Sequence, residues 1–590
     1  MKHFLLFFLA LYLIPYLAMT QDITVSELKQ HVYYLASDSL QGRKSGTPGG
    51  LMAATYVRDQ FRNYGLELQC DDGFQYFEIV TDAKLGGTNG LHFGPFTGTP
   101  GTDFIPFSYS SNGTLNASVC FAGYGFDFSS DSLTWNDYEG IDVTGRWVLM
   151  FQGDPEPENP GSVFASYGDS WTKILGAKDH GAAGIFFVTP VKMDKSDELG
   201  GLQLEKSTAV AGIPVIHLSR KTADRMLSCQ GMTVGELEAR LNEDRRPSSF
   251  LIPLEVSATV DVLFQKARTQ NVIATLKGTD PVLSQEYIVI GAHYDHLGLG
   301  GPGSNSRALD TVAVHNGADD NASGVAGLLE LAEELALNRD QVKRSILFIA
   351  FDAEEMGLLG SKYFIDQSKD MIDKMDAMIN IDMIGRFYPQ EKPLLINGTG
   401  TSAESESILN EIAAGLDFRL AYAPEGFGAS DHSSFYARDI PVFFITSGAH
   451  DDYHMPQDDA DRIHYEGIQQ IVSFMFDLVT VIADRESPLT FQEAGPKEPP
   501  RSGRGFKVTL GILPDFASTD NTGLRVDAVR KGGPADQGGM KKGDKIVALQ
   551  GKAVTNIYDY MARLKELEAG QAAAVEVLRD GIRLVLLIQL

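Results

Sequence analysis

SILFIAFDAEE, residues 345–355, is the stretch on which the fold turns. Seven residues without a charge or a turn former end abruptly in Asp352 and the pair Glu354-Glu355. An unbroken apolar run of that length reads as a strand buried on both faces, because a strand with one wet face alternates. Three similar runs lie around it: YIVIGAHYDH (287–296), AMINIDMIGR (377–386) and IPVFFITSG (440–448). Before SILFIAF comes a helical stretch, 323–337, with Val325, Leu328, Leu329, Ala332 and Leu335 on one side. Buried strands alternating with helices predict an α/β domain whose central mixed sheet is covered by helices. The polar residues fall just past the carboxyl ends of the strands, where open α/β sheets bind their ligands.

Outward from this core the texture changes. Residues 24–66 read as helical, interrupted by the Gly-rich turn GRKSGTPGG (42–50), with the helical pattern resuming at Ala53. From 75 to 255 short buried strands dominate: VCFAGYGF (119–126), GRWVLMFQG (145–153), GIFFVTP (184–190) and GIPVIHLS (212–219). We read this as a β-rich module inserted into the α/β domain, which then comprises 21–74 and 265–490. A Pro/Gly-rich linker, 491–505, leads to a small unit, 506–590, with strands and one amphipathic helix of its own. At the other end, Lys2 and His3 precede the apolar run 4–18, and Ala18-Met19-Thr20 supplies small residues for cleavage. That pattern predicts a signal peptide, 1–20, and an exported protein, periplasmic or secreted; the run is short for a membrane span and no later stretch replaces it.

A net charge of −28 argues against nucleic acid and against an anionic membrane surface as partners. Three cysteines, Cys70, Cys120 and Cys229, are too few and too scattered for a disulfide framework.

The strand-end residues, in order, are His293 and Asp295, Asp319 and Asp320, Glu354 and Glu355, Asp382, then His454 with Asp458. Two imidazoles and several carboxylates on one sheet edge make an N/O donor set suited to zinc or a similar divalent ion. Adjacent glutamates repel unless cations or a proton absorb the charge, and one can ligate a metal while its neighbour accepts a proton from water.

These residues lie in GAHYDH (291–296), GADDNASG (317–324), FDAEEMGLLGS (351–361), NIDMIG (380–385), SDHSSF (430–435) and YHMPQD (453–458). Six such motifs in this order resemble the M28 family of zinc aminopeptidases, in the subgroup with an inserted protease-associated (PA) domain; GAKDHGAAGIFFV (176–188) is the PA-like segment. The resemblance implies a zinc-peptidase fold holding two zinc ions, in a site that cobalt or manganese also fits. His293 and Asp382 would hold one ion, Glu355 and His454 the other, and Asp320 would bridge them. Asp295 would fix the tautomer of His293, Asp458 would do similar work near His454, and the Asp320-Asn321 peptide would be cis. Glu354 would be the general base, and cleavage would be confined to the first bond of peptides with a free amino terminus. Met455 stands where many relatives have Thr. The tail, with LGI (510–512) and GGPADQGGMKKGDKI (532–546), resembles PDZ domains of exported proteases, which implies a C-terminal or extended peptide as ligand.

Other candidates read more modestly. His315 is a loop histidine, Asp431 and His432 support the pocket, and His450 supports His454. Tyr422, Phe427 and Phe435 are core or pocket lining. GLGGPGSN (298–305) lacks the Lys-Ser/Thr of a phosphate loop and forms an active-site rim. Two alternatives stay open: a carboxypeptidase or amidohydrolase on the same metals, with Arg386 or Arg438 meeting a carboxylate, and a non-catalytic peptide-binding protein.

Overall fold

The computed structural model describes residues 23–590 except 131–132, 160–161, 166, 205–209, 302–303, 309, 496, 498–507, 515–521, 530–531 and 569. The expected signal peptide and most of the expected linker lie outside the described residues.

Nine strands form the central mixed sheet: β1 (Glu67–Leu68), β2 (Phe74–Leu85), β3 (Val262–Leu276), β4 (Tyr287–His293), β5 (Ser345–Phe351), β6 (Met375–Ile381), β7 (Leu394–Asn397), β8 (Leu420–Ala423) and β9 (Val442–Thr446). The order is β1-β3-β5-β4-β6-β9-β7-β8, with β2 along the free edge of β3. The four middle strands β5, β4, β6 and β9 run parallel. Their register sets His293 opposite Phe351, Gly291 opposite Asn380 and Asn380 opposite Phe444. Four carboxyl ends therefore reach one rim together.

Every residue of β5 and β6 is buried, as the unbroken apolar runs require. Helices α1 (Val25–Leu35), α3 (Gly324–Leu337) and α4 (Tyr465–Asp484) contribute Leu28, Val32, Leu328, Leu335, Ile471 and Leu478 to the core on one face. The other face is packed by Phe364, Ile365, Phe435 and Tyr436. Each large apolar side chain so buried contributes about 1.5–3 kcal/mol. Helix α4 is long and apolar enough to cross a membrane, a stretch the sequence reading passed over. Its buried residues, Ile468 to Ala483, make it a core helix here.

Helix α2 (Pro48–Asn63) starts five residues before the expected Ala53. The side chain of Thr47 accepts the N–H of Gly50, and Pro48 supplies a preset first turn. The glycines belong inside the helix because of crowding: a Cβ on Gly49 would stand 1.9 Å from the Leu40 carbonyl oxygen, and one on Gly50 2.7 Å from that of Lys44.

The insert has an eight-stranded sheet of its own, with Trp147–Phe151, Gly184–Val188 and Val215–Leu218 parallel at its centre. Its core is aromatic, built from Phe121, Phe126, Trp135, Trp147, Phe151 and Phe186. The chain leaves for the insert along β2 and returns along β3, and the two pair from Phe74↔Val272 to Leu85↔Val262. Residues 75–85, assigned to the insert by sequence, are thus hydrogen-bonded to a strand of the central sheet.

The C-terminal unit carries a six-stranded sheet and the helix Ile557–Lys565 around Leu510, Val526, Ile546, Leu564 and Val577. It rests on the insert. The buried Arg563 guanidinium takes both oxygens of Asp179, Lys565 lies 3.5 Å from Asp169, and Asn556 Nδ2 donates to the Val210 carbonyl. The three cysteines are unpaired.

Candidate metal centre

His293 is the last residue of β4, Glu354 and Glu355 follow β5, Asp382 follows β6, and Asp320 sits in the turn Ala318–Ser323 that opens α3. Gly324 begins that helix because a Cβ there would lie 2.7 Å from the Ile381 carbonyl oxygen. The Asp320-Asn321 bond is cis. His454 has φ +57°, on a loop after β9.

These residues converge as two half-sites. His293 Nε2 lies 3.3 Å from Asp320 Oδ1 and 3.3 Å from Asp382 Oδ1. His454 Nε2 lies 3.2 Å from Asp320 Oδ2 and 3.3 Å from Glu355 Oε2. Asp320 therefore presents one oxygen to each imidazole. Both histidines have Nδ1 against a backbone carbonyl, that of Asp295 at 3.2 Å and that of Asn305 at 2.9 Å. Nδ1 then carries the proton, and each Nε2 directs a lone pair at carboxylate oxygens. Lone pairs so opposed require a proton or a cation between them. Without a cation the protons stay. Against burial, hydrogen bonds to Asp320 and Glu355 raise the His454 pKa to about 10, and His293 is raised well above its usual value against burial by Asp382 and Glu354. Donor atoms of His293, Asp320 and Asp382 lie close enough together to hold one cation, and those of His296, Asp320 and Glu355 to hold another, with His454 Nε2 beside the second group.

Glu354 stands apart from the two half-sites. Burial, with repulsion from Glu355 and Asp431, holds its carboxyl well above the usual range against the pull of His293. Its neighbour behaves oppositely: against burial and Asp320, hydrogen bonds with His296 and His454 bring Glu355 down to about 2.

The residues behind the site differ from expectation in detail. The Asp295 carboxylate is 3.7 Å from His293 Nδ1, which its carbonyl engages instead. That carboxylate accepts the N–H groups of Glu354 at 3.1 Å and Glu355 at 3.4 Å, and the Ser45 hydroxyl at 3.1 Å. Asp295 thus fixes the backbone of the glutamate pair. Asp458 serves the shared aspartate, not His454: its Oδ2 accepts Asp319 N–H at 2.9 Å and Asp320 N–H at 3.0 Å. Asn305, on the Gly-rich rim, also donates through Nδ2 to the Glu355 carbonyl. Ser430 donates to Asp382 Oδ2 at 2.9 Å.

Residues 271–479 match the model of peptidase family M28. The matched segment holds every residue of the two half-sites. Residues 507–590 match the PDZ domain model. Over 207 residues the chain is 31% identical to leucine aminopeptidase 2 of Trichophyton equinum, covering 33% of this chain and 37% of that protein. It is 29% identical over 215 residues to aminopeptidase YwaD of Bacillus subtilis, covering 35% of this chain and 43% of that one. The chain thus spans well under half the length of either relative. Among solved structures, an aminopeptidase from Aneurinibacillus sp. strain AM-1 superposes with a TM-score of 0.47 at 22% identity, covering 82% of this chain and 98% of that chain.

The remaining candidates occupy distinct positions in the α/β domain. His315 is buried and bonds Ser306 and the Ala313 carbonyl, pinning the rim. His450 Nε2 lies 3.1 Å from Asp319 Oδ2, so it supports the aspartate turn. His432 stacks on Phe444 at 4.5 Å, and burial lowers its pKa to about 3. Burial raises the neighbouring Asp431 to about 7. Phe435 is core, Phe427 packs against that core, and Tyr422 packs against the core of the opposite face. Arg386 lies 3.2 Å from both Asp452 and Asp458, and Arg438 is 2.9 Å from Asp366.

Two residues that sequence reasoning missed matter here. Arg43, in the Gly-rich turn, is buried and donates to the carbonyls of Leu35, Tyr294, Asn316 and Gly317, tying together the loops that carry His293 and Asp320. His296 is buried against Glu355. The GAHYDH motif contained the latter, but no spacing rule distinguishes it from a solvated loop histidine.

Proposed function

We propose that this chain is an exported aminopeptidase that holds two zinc ions and removes the first residue from peptides with a free amino terminus. One observation carries the reading: two opposed imidazole–carboxylate sets share Asp320, with the unligated Glu354 beside them. His293 and Asp382 would hold one ion, Glu355 and His454 the other, and Asp320 both. When bound, the pair supplies Lewis acidity to a water and to the scissile carbonyl. Glu354 takes the proton of the attacking water and returns it to the leaving amine, while Asp295 holds the 354–355 backbone in register for that transfer. A protonated α-amine is attracted to the same carboxylates, which confines cleavage to the first bond. The names borne by the relatives, leucine aminopeptidase and aminopeptidase, agree with this polarity.

A carboxypeptidase needs an uncommitted cation for the terminal carboxylate, and Arg386 and Arg438 are each spoken for by acidic partners. The PA-like insert and the PDZ unit would handle longer peptides or a partner, with a C-terminal or extended peptide at the PDZ unit. Residues 1–20 would direct export to a periplasm or the medium. The test uses one peptide in three forms, with elemental analysis of the purified protein. The unblocked and C-amidated forms should be cleaved and the N-acetylated form spared, with about two zinc ions per chain. Cleavage of the acetylated form, or loss of only the amidated one, would refute the polarity.

A further inference from the structure

His296 differs from the two histidines of the half-sites in the way its ring is turned. His293 and His454 aim Nε2 inward and give Nδ1 to backbone carbonyls. His296 aims Nδ1 inward, 2.9 Å from Glu355 Oε1, while its buried Nε2 has no hydrogen-bond partner among the described residues. The second oxygen of Glu355, Oε2, is the one that faces His454. The glutamate is thus stretched between two imidazoles, one oxygen to each.

The ring is also locked in place. Gly317 lies flat against it, so close that a Cβ there would be 2.5 Å from His296 Cδ2, and Gly317 is itself held through its carbonyl by Arg43. The backbone N–H of His296 donates to the Arg43 carbonyl. In this placement Nδ1, not Nε2, faces Glu355. A hydrogen bond to the carboxylate requires the proton on Nδ1, and a protonated Nδ1 has no lone pair to offer a cation. Asp320 Oδ2, the other nearby oxygen, is 3.9 Å from Nδ1, too long for a hydrogen bond.

From this geometry we infer that His296 is a positioning residue for the second metal. It donates from Nδ1 to Glu355 Oε1, leaving Oε2 as the single ligand oxygen beside His454. The inference rests on the dinuclear reading above but makes a separate claim, since a two-metal site needs no particular partner for Oε1. Groups that orient a ligand in this way typically change metal affinity about 10–100-fold when removed. Asn and Gln separate the alternatives, because the amide of Asn superposes on Nδ1 and that of Gln on Nε2.

The experiment follows zinc retention by elemental analysis as the intact protein is dialysed against graded chelator, alongside hydrolysis of an unblocked peptide at increasing free zinc. Wild type should release its two ions in two steps. His296→Ala and His296→Gln should release the weaker ion at about 10–100-fold lower chelator strength, keep the other, and regain turnover as free zinc is raised. His296→Asn should retain both ions nearly as wild type does. Circular dichroism and the retained first ion verify that each variant is folded, and Gln serves if Ala does not fold. Both ions held at wild-type affinity in Ala or Gln overturns the inference. Loss in Asn equal to that in Ala also overturns it, in favour of direct ligation by His296. A wild-type protein with one ion sinks the dinuclear reading itself, a result read before any variant is made.

Discussion

Replacing Glu354 with Gln separates chemistry from metal binding within one side chain. No hydrogen bond to the Glu354 carboxylate is formed among the described residues; its backbone N–H, not its side chain, is what Asp295 holds. An amide of the same shape therefore breaks no contact. It removes a carboxyl whose ionisation is opposed by burial and by the adjacent Glu355 and Asp431. Stability at neutral pH should be unchanged or slightly raised, and both proposed ions should stay, because the oxygens of Glu355 and Asp320 that face His454 are untouched. The proton acceptor is lost. General acid–base catalysis contributes about 10²–10⁴-fold, which at about 1.36 kcal/mol per decade is roughly 3–5 kcal/mol on the barrier. Stopped assays with an unblocked peptide should give a kcat lower by that factor at near-constant KM. Thermal unfolding and elemental analysis on the same preparation complete the comparison. Turnover within tenfold of wild type, with two ions present, would refute the assignment; loss of an ion would mean that Glu354 is itself a ligand.

Other perturbations bear on separate parts of the molecule. Asp458→Ala strands the buried N–H groups of Asp319 and Asp320 and removes a partner of Arg386; at about 1–3 kcal/mol for each stranded donor, it should lower the denaturant midpoint and loosen both ions, whereas wild-type metal retention would show the turn to be self-supporting. Burial lowers the pKa of Lys173, in the insert, to about 7, where its Nζ donates to the Phe151 and Gly153 carbonyls. Between about pH 7 and the pKa of an unfolded lysine the unfolded chain then binds more protons than the folded one, so stability attributable to Lys173 rises with pH across that window. Calorimetry of wild type minus Lys173→Met from pH 7 to 9.5 should give that positive slope, and a flat or falling difference contradicts it. Truncation after Gly495 should leave hydrolysis of dipeptide-sized substrates intact and weaken only longer peptides. Arg563→Glu, which sets like charges against Asp179, should free the PDZ unit to separate from the insert in solution scattering, and unchanged scattering would mean that the ion pair does not hold the two together.

The fold was legible in the sequence wherever burial imposes a pattern. SILFIAF and AMINI have no polar face to offer, so they had to be inner strands, and their buried spans agree to the residue at β5. The start of α2 was not legible, because glycine weakens helical periodicity and only the Leu40 and Lys44 carbonyls reveal why Gly49 and Gly50 lie inside it. Helix α4 illustrates the opposite ambiguity: composition alone cannot distinguish a core helix from a membrane span.

For the site, the sequence by itself determined which residue types gather at the ends of which strands, since a strand's end fixes where its next side chains emerge. It could not determine direction. That Asp458 supports the aspartate turn, that Asp295 holds the 354–355 backbone, and that His296 turns Nδ1 toward Glu355 are matters of a few ångströms and one ring rotation. They depend on loops separated by up to 139 positions in the chain meeting at one rim. Local spacing specifies a residue's face on its own element, whereas a hydrogen bond between two loops depends on how both elements pack. Only the tertiary structure supplies that.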